Sequence, residues 1–421
     1  MISNIEKELL FMHRLGMNFI LIREPENWES ALDVDILVND KGGASEILIE
    51  NGYFCYRDSG THSWFLKYNV TIKKWMHIDM HHGLKFGDID FPIKYIHRLF
   101  DKSVLNKIGI PILNEGDHLI LLFFHSVIDK NNIDGKYKKR FNIDLGVKIF
   151  EALKMHYDFL PKPLGYYIQQ MEKWRKKDIT SAELMTPIRI QFGLGSDKSS
   201  VMAGLMLRVK KRVKGLFRGG NMITVLGPDG SGKSTITDAI SILPNVSVKL
   251  QYMGPVPNLN TRTVFILEKL LMALNNQKRN FSTSSIFGKV IRVLWHISNY
   301  IDLIVRVNRN IWHASGDGIV VFDRYACDMF IRDEKHINES VYIKFFPKPK
   351  KVVLCVGSAI DINYRKPELE INEINQAIDS YKLIFNKHKI PFTEINTTKN
   401  SIKESVDILA KILLKEKFSN D

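Results

Sequence analysis

Residues 222–235 read Met222-Ile-Thr-Val-Leu-Gly-Pro-Asp-Gly-Ser-Gly-Lys-Ser-Thr235, and this stretch decides the fold of the C-terminal part of the chain. Met222 to Leu226 is a short apolar run, partly β-branched, that stops at the first glycine. Thr235-Ile-Thr-Asp-Ala-Ile240 reads as the start of a helix. Between them, Gly227, Gly232, Lys233 and Ser234 stand at the spacing G-x-x-x-x-G-K-[ST]. A strand, a glycine-rich bend and a helix N-terminus form the context in which that spacing has physical meaning.

The glycines let the backbone curl until successive N–H groups point inward as a cradle for phosphate oxygens. The positive end of the following helix adds attraction for an anion. A nine-residue binding segment is therefore expected: Gly227, Pro228, Asp229, Gly230, Ser231, Gly232, Lys233, Ser234 and Thr235. Lys233 has the reach for β- and γ-phosphates, and the Ser234 hydroxyl suits Mg²⁺. The competing reading is a chance glycine turn ahead of a helix. The spacing and flanks favour a nucleoside triphosphate, so ATP and Mg²⁺ are the expected cofactors.

Composition sets wider bounds. The chain has 421 residues, long enough for two or three domains, with 45% hydrophobic and 25% charged residues. It has no run of about 18 apolar residues, so no membrane span is expected. The N-terminus, Met1-Ile-Ser-Asn-Ile-Glu-Lys-Glu, lacks a signal-peptide core. Cys55, Cys327 and Cys355 are odd in number and far apart, which argues for free thiols and a cytoplasmic setting. A net charge of +14 admits nucleic acid, an anionic surface or phosphorylated ligands as partners. The sharpest basic cluster, Arg208-Val-Lys-Lys-Arg-Val-Lys-Gly-Leu-Phe-Arg218, reads as a linker helix in preference to a nucleic-acid patch, since no aromatic platform accompanies it.

Three segments follow: 1–195, a basic linker helix over 196–220, and 221–421. The polar stretch Gly193 to Ser200 and the pair Gly219-Gly220 mark the breaks. The last segment alternates strand and helix signals, which predicts an α/β fold with a parallel sheet flanked by helices. Its expected elements are strands at Ile319–Phe322, Lys351–Val356 and Pro391–Ile395, and helices at Ile371–Lys387 and Ile402–Leu414. The last helix should bury Ile402, Val406, Leu409 and Leu413. The first segment is expected to be α+β with a helical extension. Ile5–Leu15 should be a helix, Phe19–Ile22, Val34–Val38 and Trp75–Met80 strands, and Asp117–Ile128 a helix.

Phe322-Asp-Arg-Tyr325 ends the Ile319 strand. An aspartate there can hold Mg²⁺ or orient an attacking oxygen, and the adjacent arginine offers a planar donor fork for phosphate oxygens. The alternative is a surface Asp-Arg pair. Together with the loop and with Tyr364-Arg-Lys-Pro-Glu368, followed by a helix and Tyr381, the run Asp323-Arg-Tyr325 resembles the thymidylate kinase family of nucleoside-monophosphate kinases. The resemblance covers roughly residues 220 to 415.

That resemblance implies a catalytic set of Lys233, Asp323, Arg324 and Arg365, with Ser234 and Asp323 as Mg²⁺ ligands. It puts Arg365 on a mobile lid with Lys366 beside it, and Asp229 near the acceptor. Arg306 and Arg309 are candidates for the acceptor phosphate, although a solvated helix face is the favoured reading for both. The chain departs from the family at Gln251-Tyr-Met-Gly-Pro-Val-Pro257 and at Ala326-Cys-Asp-Met-Phe330. The expected partner is a small-molecule phosphate acceptor, a nucleoside monophosphate or another phosphorylated compound. No nucleic-acid partner is expected, and a homodimer is allowed.

In the first segment, Leu32-Asp-Val-Asp-Ile-Leu-Val38 puts Asp33 and Asp35 on one face of a strand. Asp79 lies in the later run His77-Ile-Asp-Met-His-His-Gly83. Three converging carboxylates suit divalent metal, and roughly residues 15 to 150 resemble the nucleotidyltransferase superfamily. Leu21-Ile-Arg-Glu24 stands where that superfamily carries a Gly-Ser pair. The alternative is an edge strand whose aspartates face solvent. His77, His81 and His82 are read as solvated or core histidines in preference to zinc ligands. A rival to the kinase reading is accordingly a nucleotidyltransferase acting through Asp33, Asp35 and Asp79 with a regulatory ATP-binding domain. An ATP-binding switch with a nucleic-acid partner is a second rival.

Overall fold

The computed structural model describes residues 4–87, 89–133, 160–192, 206, 221–253, 301, 303–315, 318–325, 328 and 349–418. The chain divides into two compact units: Met1–Lys67 with Trp75–Gly204, and Tyr68–Lys74 with Leu205–Asp421. The basic segment Arg208–Arg218, Cys327 and the stretch 254–257 lie outside the described residues.

The first unit begins with helix α1 (Asn4–Arg14) and strands β1 (Phe19–Leu21) and β2 (Asp33–Val38). Helix α2 (Lys41–Glu50) leads to β3 (Phe54–Asp58), β4 (His62–Asn69) and β5 (Lys74–His81). The two short strands β6 (Lys85–Phe86) and β7 (Ile89–Asp90) pair with each other. Helix α3 (Ile93–Asp101), strands β8 (Val104–Leu105) and β9 (Pro111–Ile112), and helix α4 (Glu115–Phe124) follow. A π-turn over His125–Asp129 continues α4, and α5 (Leu164–Arg175) and α6 (Ser181–Gln191) close the unit.

Seven strands form one mixed sheet in the order β3-β4-β5-β2-β1-β9-β8. Period-2 alternation sorts its side chains into two cores. Phe19, Leu21, Ile36 and Val38 pack with α1 and α2 residues such as Leu9 and Leu48. Ile20 and Leu37, on the opposite face, join Phe124, Tyr167 and Phe192 of the helical part. Asp33 and Asp35 therefore share the Leu37 face. Their strand is central, hydrogen-bonded to β5 on one side and β1 on the other, which corrects the edge-strand alternative. The expected helix over Asp117–Ile128 starts earlier, capped by Asn114, and its last turn is π instead of α.

Among the described residues the second unit has five strands: β10 (Met222–Leu226), β11 (Val248–Tyr252), β12 (Ile319–Asp323), β13 (Lys351–Val356) and β14 (Phe392–Asn396). They lie in the order β11-β12-β10-β13-β14, and every pair is parallel. Both faces are covered, so β10, β12 and β13 read as nearly unbroken apolar runs. Helix α7 (Lys233–Ser241) follows the glycine-rich bend and begins two residues before the expected Thr235. A helical stretch occupies 303–314, and α8 (Ala359–Arg365), α9 (Ile371–Lys387) and α10 (Ile402–Phe418) complete the unit. In α10 Val406, Leu409 and Leu413 are fully buried, while Ile402 is half exposed at the first turn, which corrects its assignment to the core face. Among the described residues no helix is long and apolar enough to cross a membrane.

Candidate functional site

In the parallel sheet the chain runs from β10 out to β11 and back to β12 on one side, then to β13 and β14 on the other. The carboxyl end of β10 is thus a switch point, where an α/β sheet opens a crevice for ligands. The bend at 227–232 sits there. Gly227 has φ +144°, and a side chain on it would run into the Cys355 carbonyl and come within 2.8 Å of Ser231 Oγ. Gly230 has φ +85°, and a Cβ there would lie 2.7 Å from the Ile362 carbonyl. Only glycine satisfies both the backbone angle and the space at these two positions.

The bend closes a pocket of about 760 Å³ within the second unit. Asp229, Gly230, Gly232, Lys233, Ser234 and Thr235 line it from one side, and Asp323, Arg324, Arg365 and Lys366 from others. Gly227, Pro228 and Ser231 are not in that lining. Lys233 is buried and donates from Nζ to the carbonyls of Gly227 at 2.8 Å and Pro228 at 2.7 Å. Burial, then the charge of Arg324, pulls its pKa down. Ser231 is held from outside, because Thr397 Oγ1 donates to its carbonyl at 2.9 Å.

Asp323 and Arg324 arrive from β12. Asp323 Oδ1 is buried with no hydrogen-bond partner, and burial raises the pKa of that carboxyl. Arg324 takes a left-handed backbone, φ +70°, which is uncommon for a residue with a Cβ. Several contacts hold it there. Its N–H donates to the Val225 carbonyl at 3.1 Å, and Thr224 Oγ1 donates to its carbonyl at 3.3 Å. Its guanidinium donates to Asp328 Oδ2 at 2.6 Å and to the Asp229 carboxylate. The Tyr381 hydroxyl donates to the other oxygen of Asp328. A chain Tyr381–Asp328–Arg324–Asp229, buried except at its part-buried Asp229 end, therefore links α9, the segment after β12 and the glycine-rich bend. Burial works against the charge of Arg324, and the carboxylates of Asp328 and Asp229 outweigh it and raise its pKa.

Arg365, at the end of α8, donates to the Thr397 carbonyl at 3.0 Å and is exposed at the pocket. Lys366 pairs with Glu368 at 3.0 Å. Arg309 is exposed, as a solvated helix face requires. Arg306 is not on such a face: it is buried and donates to the Tyr252 carbonyl at 3.4 Å, which corrects that reading. Asp328 and Thr397 escaped the sequence reading. Asp328 stands four residues after Arg324 and is helical, but an i,i+4 carboxylate carries no distinctive signal by itself. Thr397 meets the bend only through the tertiary fold.

In the first unit β2 and β5 are parallel, with Asp35 opposite Asp79 and Asp33 opposite His77. Arg23 donates to Asp35 at 2.9 Å, and Asp33 accepts from His77 Nδ1 at 2.5 Å. Burial, with the neighbouring Asp35 charge next, pushes the Asp79 carboxyl up to about 6. Burial, then His62, pushes His81 down to about 3. The three aspartates thus share one region, but Asp35 and Asp33 are already hydrogen-bonded by a guanidinium and an imidazole.

No family model matches the chain, and neither does any curated protein sequence. Its neighbours among solved structures are deoxynucleoside and nucleotide kinases. A deoxyadenosine kinase from M. mycoides with bound dATP is 16% identical at a TM-score of 0.29. A thymidylate kinase from Ehrlichia chaffeensis is 17% identical at 0.28. In each case the match covers 46% of this chain and 98% of the other.

Proposed function

We propose that this protein is an ATP-dependent kinase of the thymidylate and nucleoside-monophosphate kinase type, moving the γ-phosphoryl group of ATP to a small phosphorylated acceptor. One observation carries the reading. The loop lysine Lys233, the strand-end pair Asp323–Arg324 and Arg365 line a single pocket at the switch point of a parallel sheet. Phosphoryl transfer asks the protein for alignment and for cations on the equatorial oxygens, with little covalent chemistry of its own. That set supplies three cations and one carboxylate.

In this reading the amides of 227–232 and Lys233 hold the triphosphate tail. Arg365 closes over the transferring group, and Arg324, fixed by Asp229 and Asp328, faces the developing charge. The acceptor oxygen bonds to the γ-phosphorus as the bond to the β-phosphate oxygen breaks, and ADP leaves. Mg²⁺ fits this donor set. Asp323 brings a buried, unpartnered carboxylate oxygen and Ser234 an exposed hydroxyl in the same pocket, both hard oxygen ligands. Bound there, the ion would offset phosphate charge.

The test is a screen of acceptors with ATP and Mg²⁺, nucleoside monophosphates first and sugar phosphates second, followed by Lys233→Ala on the best acceptor. We expect a loss of at least about 100-fold in kcat, on the scale of removing one preorganised donor. A folded Lys233→Ala protein that transfers phosphate as well as the parent refutes the assignment.

A further inference from the structure

The histidines beside Asp79 were read from the sequence as solvated or core groups, and the structure divides them. His77 is engaged by Asp33 and, at 3.1 Å, by the Tyr56 hydroxyl. His82 Nε2 lies 3.9 Å from Asp58. His81 belongs to a different group, completed by His62 from the neighbouring strand β4. The His62 and His81 rings sit 4.1 Å apart between centroids, and His81 Nε2 is 3.6 Å from Asp79 Oδ1. One donor atom from each of His62, Asp79 and His81 lies within 4.8 Å of the other two.

Asp79 Oδ1, the carboxylate oxygen facing His81 Nε2 in this group, is buried without a hydrogen-bond partner among the described residues. Such atoms are costly to keep, and in folded proteins they mark a site for something else. The surroundings hold the group in shape. Trp64 stacks on His62, with centroids 5.5 Å apart and planes at 12°. Thr61 Oγ1 lies 2.7 Å from His62 Nδ1 and fixes that ring through its far nitrogen, as outer partners of metal-bound histidines do.

We infer that His62, Asp79 and His81 form a binding site for a divalent transition metal of the Zn²⁺ class. Two imidazoles and one carboxylate are ligands that zinc accepts at about 2.0–2.2 Å, and three protein ligands leave a fourth position open. Ligand atoms in tetrahedral geometry at that length stand roughly 3.3 Å apart, so the 3.6 Å separation of His81 and Asp79 needs little change. Mg²⁺ prefers an all-oxygen octahedral shell, which imidazole does not provide. The site shares Asp79 with the three-aspartate arrangement but excludes Asp33 and Asp35.

The test uses the full chain, stripped of metal and titrated with Zn²⁺ by equilibrium dialysis, and with Co²⁺ by visible absorption. We expect one tight Zn²⁺ per chain, kept under a large excess of Mg²⁺, and Co²⁺ d–d bands of a four- or five-coordinate centre. His62→Gln and His81→Gln should each lower affinity by more than about 100-fold, beyond the 10–100-fold expected for losing an outer partner. Asp33→Asn should leave binding unchanged. The absence of tight uptake in the parent protein, displacement by Mg²⁺, or undiminished binding in folded His62→Gln and His81→Gln proteins overturns the inference. If the variants unfold, the Co²⁺ spectrum of the parent protein decides alone: octahedral bands reject the site.

Discussion

Asp323 shows what a single buried carboxylate costs and what it can serve. Its Oδ1 is out of water with no donor, so the folded protein holds the proton more tightly than the unfolded chain does. For an acid with a raised folded-state pKa, stability is intact below the unfolded value near 3.9 and declines as the pH climbs through the folded value. Asp323→Asn removes that penalty. In Mg²⁺-free buffer at neutral pH the variant should unfold at a Tm about 2–4 °C higher, as about 1 kcal/mol gives in a domain near this size. The gain should vanish below about pH 4, and phosphoryl transfer should be lost. A neutral-pH Tm equal to or below the parent's would contradict this account of Asp323. Arg324, one residue on, shows the reverse balance: its left-handed backbone is strained, and Asp229, Asp328 and the Val225 and Thr224 contacts hold it. That an arginine follows Asp323 at the end of the strand was legible in the sequence. Its fixation was not, because Asp328 and Tyr381 converge on it from positions 4 and 57 residues later.

Among the elements, the strand, bend and helix at 222–241 were legible because local rules all agreed there. An apolar β-branched run, glycines at the positive-φ positions and a helix former after the last glycine point to the same geometry. Strands β13 and β14 and helix α9 followed their periodicity equally well. The strands β3 and β4 were missed, since Phe54–Asp58 and His62–Asn69 mix charged, polar and aromatic residues without clean alternation. That omission hid His62 as a neighbour of Asp79. At the bend, Gly227→Ala should destabilise the second unit by about 1–3 kcal/mol, the range for a strained φ with an overpacked Cβ. The Cys355 carbonyl it would strike belongs to a central strand and cannot step aside. Urea unfolding measures it, and a change within about 0.5 kcal/mol, as for an ordinary surface substitution, would show that the bend does not need glycine there.

At the scale of the whole chain, the two units have separate cores. Phe124, Tyr167 and Phe192 anchor one cluster of the first unit, while Phe322, Leu354 and Phe385 anchor the second. Separate cores can unfold separately, and a ligand stabilises only the unit that binds it. Calorimetry should therefore resolve two transitions. A non-hydrolysable ATP analogue with Mg²⁺ should raise one of them, by about 2.7 kcal/mol at 100 times Kd, and leave the other in place. A single transition that shifts as a whole would show the units to be one cooperative body. Length and composition allowed two or three domains, and the position of the glycine-rich bend indicated where a parallel α/β unit starts.

By itself the sequence determined the glycine-rich bend, its strand and helix, and the residue types offered at the strand end, because each is fixed by neighbours a few positions away. Only the tertiary structure decided which distant groups complete those offers. Thr397 reaches the bend from beyond β14, Tyr381 and Asp328 lock Arg324, and His62 joins Asp79 and His81 across a strand pair. The physical reason is that backbone preference is local, whereas burial and hydrogen-bond partnership are settled by which strands lie side by side.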